Sequence, residues 1–131
     1  MAISNIKAVF QCDIQKVWET VTSLEDCTWR SDLSEIRVLS PKQFIEYTKD
    51  GYATTFTITK TEPSTRWEFA MENDNIKGHW TGIFTPRGEQ TEVDFTENVT
   101  AKKLLMKPFV KAYLQKQQNR YITDLRKALE E

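Results

Sequence analysis

Between residues 55 and 99 one alternation persists through four consecutive segments, each closed by a turn. Phe56 and Ile58, then Trp67, Phe69 and Met71, then Trp80 and Phe84, then Val93, Phe95 and Val99 share one parity. Thr55, Thr57 and Thr59, Arg66 and Glu68, His79 and Thr81, Asp94, Thr96 and Asn98 share the other. A period of two is the signature of strands, because successive side chains leave a strand on opposite faces. Only one face is apolar, so the sheet is covered once and wet on its back, as antiparallel sheets allow. The breaks at Pro63-Ser64-Thr65, Asn73-Asp74-Asn75 and Pro86-Arg87-Gly88 carry turn residues.

Upstream segments extend the pattern. QFIEYT (43–48) and YATTFTITKTE (52–62) flank Lys49-Asp50-Gly51, an Asp-Gly hairpin signal. Ile36, Val38 and Leu39 form a strand ended near Pro41, which cannot donate to a ladder. In residues 3–12, Ile6, Ala8, Phe10 and Cys12 alternate with Lys7, Val9 and Gln11, giving a first strand. The expectation is an antiparallel meander of six to seven strands.

Two regions break the period of two. Asp13 is a good helix N-cap, and Ile14, Val17, Trp18 and Val21 then recur at three, four and seven. The polar stretch 23–35, with Trp29 in its middle, is expected to hold a second short helix. From Met106 onward, Val110, Tyr113, Leu114, Gln117, Tyr121, Leu125 and Ala128 form one stripe of a long helix, with Pro108 in its first turn. A helix of ~24 residues reaches about 36 Å, enough to cross a sheet. The fold class is α+β.

A helix is ~10–12 Å across and strands sit ~4.8 Å apart, so one helix is narrow beside six or seven strands. The sheet must curve around it, with Gly78 and Gly82 permitting the bend. Imperfect wrapping leaves a void lined by Trp, Phe and Met, the usual kind of small-molecule site.

The order strand, helices, antiparallel strands, long terminal helix resembles the START-like (SRPBCC) superfamily, particularly its polyketide cyclase/dehydrase and lipid transport members. The resemblance covers nearly the whole chain and reads 1–131 as one domain. It is carried by VFQCDIQKVWETVTSLEDCTWRSDLSEIRVL, FTITKTEPSTRWEFAM, GHWTGIFTPRGEQTEVDFT and the terminal helix. Val17, Trp18 and Trp29 match the family's Val-Trp helix and following Trp. Thr85, Pro86, Gly88, Thr91 and Val93 match its turn motif. Cys12-Asp13 stands where relatives usually carry a Pro before the first helix, and a typical glycine between the second and third strands is missing. The resemblance implies a helix-grip fold with an apolar cavity, binding lipids, polyketides or quinone-like molecules, with catalysis in a few members.

Composition narrows the classes. With 39% hydrophobic and 28% charged residues, the chain reads as globular and not disordered. A net charge of −1 argues against general attraction to nucleic acid, so no nucleic-acid partner is expected. Residues 102–131 carry eight Lys or Arg and three Asp or Glu, a net of +5, so the rest nets −6. That basic segment reads as a solvated helix face, with a membrane surface or RNA as the alternative. No stretch approaches ~18 apolar residues, so no integral membrane association is expected. No signal peptide is visible, and Cys12 and Cys27 form no framework, which together point to a reducing cytoplasm. A monomer or weak homodimer is expected. One histidine excludes common zinc sites and offers no supported triad, so neither metal nor cofactor is expected.

The expected ligand-binding set is Trp29, Tyr52, Phe56, Trp67, Phe69, Trp80, Phe84, Phe95, Glu97, Met106, Val110 and Tyr113. Each ring also has a plain reading as core. Glu97 shares the inward parity of Phe95 and Val99. It is a polar anchor facing the helix, or sits at a bulge or strand end, or pairs with Lys103 or Lys107. Gln117 is a further contact, or bonds the protein itself. The leading reading is a carrier or sensor of a small hydrophobic ligand, and more a binder than an enzyme. The alternatives are a cyclase or dehydratase using Glu97 as acid or base, and a protein-interaction or chaperone-cofactor module.

Overall fold

The computed structural model describes residues 1–129. Seven strands form one antiparallel sheet: β1 (Ala2–Phe10), β2 (Leu33–Ser40), β3 (Gln43–Thr48), β4 (Ala53–Glu62), β5 (Arg66–Glu72), β6 (Ile76–Arg87) and β7 (Gln90–Ala101). The sheet order is β1-β7-β6-β5-β4-β3-β2, so the chain crosses to the far edge after β1 and meanders back to pair β7 with β1. Helix α1 (Ile14–Thr22) spans that crossing. A 3₁₀ segment (Leu104–Phe109) leads into the long helix α2 (Val110–Ala128). The result is the expected helix-grip architecture, a curved sheet closed by a C-terminal helix.

The parity holds. Phe56, Trp67, Phe69, Met71, Trp80, Phe84, Val93, Phe95 and Val99 are all buried in one core. Asp13 caps α1 by accepting the Lys16 N–H at 3.0 Å. The second short helix does not form. Residues 23–32 are turns, because short polar side chains take the local donors that a helix needs. The Asp26 carboxylate accepts the Thr28 N–H at 3.0 Å, and the Arg30 N–H reaches the Cys27 carbonyl.

Pro108 lies in the 3₁₀ segment, just ahead of α2. The buried side of α2 is also rotated from the expected stripe. Val110, Leu114, Gln118, Ile122, Asp124 and Leu125 are buried, whereas Tyr113 is exposed. The cause is that α2 faces two environments, strands on one flank and a cavity on the other. It approaches β1 and β7 closely and no other strand to a comparable degree. Gln118 fixes that placement. It accepts the Ser4 hydroxyl proton at 2.7 Å and donates to the carbonyls of Ser4 at 3.0 Å and Phe95 at 3.4 Å. No helix among the described residues is long and apolar enough to cross a membrane.

The glycines of β6 answer to crowding more than to bending. A Cβ on Gly82 would collide with the Trp80 indole, lying 2.6 Å from Cζ3, and one on Gly78 would lie 2.7 Å from the Asn98 carbonyl oxygen. Gly82 thus makes the bed on which Trp80 lies while its ring stacks on Phe69 at 4.8 Å. Gly82→Ala should destabilise the fold by about 1–3 kcal/mol in urea unfolding and shift tryptophan emission as Trp80 is displaced.

Candidate functional site

Because α2 covers the β1 and β7 side, the apolar face of β3, β4 and β5 meets open space. The cavity there has a volume of about 790 Å³. Phe44, Phe56, Trp67, Phe69, Trp80 and Phe95 form its sheet wall, and Tyr113, Gln117 and Tyr121 its helix wall. The rings also hold one another. Phe44 stacks on Phe56 at 5.0 Å, Phe69 stands edge-on to Phe56 at 5.1 Å, and Trp80 tilts against Phe95 at 4.8 Å. The wall is therefore pre-formed. Tyr52, Met106, Phe109 and Tyr113 form a rim, and the exposure of Tyr52, Phe109 and Tyr113 marks it as the mouth.

The far end is polar. Arg30 projects from the 23–32 turn and grips Asp32 in a two-pronged pair, Nε to Oδ1 at 3.2 Å and Nη2 to Oδ2 at 3.1 Å. Its Nη1 reaches Glu46 Oε2 at 3.4 Å, and its guanidinium lies over the Tyr121 ring at 4.8 Å. Burial works against the charge on Arg30, but Glu46, Tyr121 and Asp32 together outweigh it and raise its pKa. The turn is tied to α2 by Asp124, whose Oδ2 accepts both the N–H and the hydroxyl of Ser31 at 2.8 Å.

Glu97 sits in unbroken β7 pairing, opposite Ser4 and Trp80, so no bulge turns it away. Neither Lys103 nor Lys107 pairs with it, and it makes no hydrogen bond or ion pair among the described residues. No buried side-chain nitrogen or oxygen among those residues lacks a partner. The carboxyl of Glu97 and the unbonded hydroxyl of Tyr121 therefore reach the cavity space that both residues line. Burial pushes the Glu97 carboxyl up to about 7, with Arg30 opposing and Glu46 adding to the rise. Burial likewise raises Tyr121 and Glu46.

Of the residues expected from sequence, Trp29, Tyr52, Phe56, Trp67, Phe69, Trp80, Phe95, Glu97, Met106, Val110 and Tyr113 line the cavity. Phe84 does not. It is wedged under α1, edge-on to Trp18 at 5.0 Å, and belongs to the core behind the wall. Gln117 donates to the Tyr113 hydroxyl at 3.1 Å. Arg30, Glu46 and Tyr121 were not among the expected site residues. Glu46 shares the parity of buried Phe44 in β3, the same signal that marks Glu97 in β7. Arg30 lies in a turn without periodicity and had no such signal. His79 is on the back face, 3.5 Å from Glu68. No cluster among the described residues is placed to hold a metal ion.

In the unfolded chain Glu97 titrates near 4.5, whereas in the folded protein it keeps its proton up to about 7. Across that window the native state holds the extra proton, so stability is greatest below it and is lost as pH rises through it. Glu46, also raised, contributes with the same sign. Glu97→Gln should remove a pH-dependent loss on the order of 1–3 kcal/mol and flatten stability across the window, read by urea unfolding in a pH series.

Comparison with known proteins agrees with this architecture. A START superfamily protein from Mycobacterium smegmatis superposes with a TM-score of 0.88 at 14% identity, over 99% of this chain and 98% of that one. A conserved protein from Geobacillus kaustophilus gives 0.81 at 10% identity, over 97% and 94%. A protein of the dynemicin biosynthetic locus gives 0.77 at 14% identity, over 99% of this chain and 48% of that one. At such identities the likeness is one of fold. No curated protein matches the sequence significantly. The model of the family described as polyketide cyclase / dehydrase and lipid transport matches residues 1–130, and the chain belongs to that family.

Proposed function

We propose that the protein binds and carries a small, mainly hydrophobic molecule in the cavity between sheet and α2, within the cytoplasm. The supporting observation is the cavity itself, about 790 Å³ walled by aromatic rings, with an unpaired carboxyl and a free phenol at its inner end. That size falls in the range of small-molecule pockets, and the division into apolar walls and a few polar groups is how such pockets orient a ligand. The family description, which includes lipid transport, supports the same reading. The unpaired thiols Cys12 and Cys27 suit a reducing compartment.

The inner end also selects. Its buried cation, Arg30, is already engaged by Asp32 and Glu46, and Glu97 faces the ligand beside them. A ligand carboxylate placed there would add like charge beside Glu97 and Glu46, with the Arg30 guanidinium already committed. A neutral hydroxyl, phenol or carbonyl can exchange a hydrogen bond with Glu97 or Tyr121. A second reading rests on Glu97 alone: a carboxyl titrating near neutrality in an enclosed site is suited to general acid–base work, as in a cyclase or dehydratase.

Tryptophan emission and native mass spectrometry test both readings. Long-chain alcohols and aromatic polyketides should quench or shift emission and be retained. Above the Glu97 midpoint of about 7, the acid of equal chain length should bind at least about tenfold more weakly than the alcohol. Glu97→Gln should narrow that gap while retaining the alcohol. If instead a tested polyketide is turned over and Glu97→Gln cuts the rate by about 10²–10⁴, the enzymatic reading replaces the carrier. Unchanged emission and melting with every ligand would refute binding.

A further inference from the structure

The 3₁₀ segment before α2 has the wrong surface for water. Leu105 is 87% exposed, Leu104 74% and Phe109 70%. Apolar side chains scattered singly over a surface are ordinary, but three this exposed within six consecutive residues are not scattered. The charge around them is equally one-sided. Between Glu97 and Asp124 the sequence has six Lys or Arg and no Asp or Glu. Of these cations only Lys102 has an ion pair among the described residues, with Glu72 at 2.6 Å. Lys103, Lys107 and Lys111 thus flank the apolar residues in sequence without an ion pair among the described residues.

We propose that this segment docks the protein onto an anionic lipid bilayer. A bilayer surface satisfies both features at once, since aliphatic and aromatic tips enter the headgroup and acyl boundary while lysines stay with the phosphates. The rivals satisfy one feature each. Nucleic acid would take the lysines but leave the leucines in water. A second copy meeting on this face would cover the leucines but bring two groups of unneutralised lysines together. The placement gives the surface a use. Phe109 is also on the rim of the cavity, so docking sets the mouth against the membrane. Passage of a ligand between bilayer and cavity rests on the function proposed above. The docking itself does not.

Co-sedimentation of the full chain with vesicles tests the surface directly. At low ionic strength the protein should pellet with vesicles of equal parts phosphatidylcholine and phosphatidylglycerol, and not with phosphatidylcholine alone. Added salt should weaken the association. The double variants Leu104→Ser/Leu105→Ser and Lys103→Glu/Lys107→Glu should each lower partitioning at least about tenfold. All four positions lie on the surface and outside the cavity wall, so melting and ligand retention should match the parent protein. The idea is overturned if the mixed vesicles bind no better than phosphatidylcholine, or if either variant binds as the parent does. It is equally overturned if the serine variant abolishes a dimer seen by sedimentation velocity while vesicles are ignored. Retention on RNA that the serine changes leave intact, without vesicle binding, would assign the lysines elsewhere.

Discussion

The site depends on where α2 is pinned. Three buried hydrogen bonds from one residue, Gln118, tie the helix to the backbone and side chain of Ser4 and to the Phe95 carbonyl. A buried amide with every partner supplied is directional in a way that apolar packing is not. It holds the helix over β1 and β7. Were α2 free to slide toward the middle of the sheet, its apolar side chains would fill the space before Phe44, Phe56 and Trp67. The cavity is thus maintained by polar positioning of a lid.

The polar inner end follows from the same placement. Tyr121 lies one turn beyond Gln118 on the flank that faces away from β1, where its ring receives the Arg30 guanidinium. Asp124, one further turn along, holds Ser31 and with it the turn that delivers Arg30. A buried guanidinium is costly unless paired, and Asp32, through both oxygens, and Glu46, through one, meet that need. Glu97 is left over. Burial and its neighbours set its proton affinity without bonding it, so its carboxyl, unpaired among the described residues, is directed at the cavity.

Legibility in the sequence followed the range of the forces involved. Strand parity is a local property of the backbone, and it placed Phe56, Trp67, Phe69, Trp80, Phe95 and Glu97 on the helix-facing side. The hairpin turns and the Asp13 cap are equally local. The stretch 23–32 carries local turn chemistry, such as the Asp26 bond to Thr28, that competes with the expected short helix, while its anchoring to Asp124, some ninety positions away, leaves no local trace. The helix stripe points to Gln117, which lines the cavity and bonds Tyr113, but does not single out Gln118. A helix stripe gives a direction within about a residue, while the partner that selects Gln118 lies on the first strand. Phe84 has the parity of a wall residue, and only the packing of Trp18 against it shows that α1 has taken that part of the sheet.

The pairing of β1 with β7 sets an order of events during folding. Ala2 lies opposite Val99 and Phe10 opposite Thr91, so the first strand has no ladder partner until the seventh exists. The hairpins from β2 to β7 can assemble from near neighbours, whereas sheet closure requires a contact across most of the chain, and such long-range closures are slow. Because α2 rests on β1, the lid has no seat until that closure occurs. A chain that had formed only the meander would leave its aromatic face bare, a condition prone to association, and the ligand chamber cannot close before β1, β7 and α2 have come together.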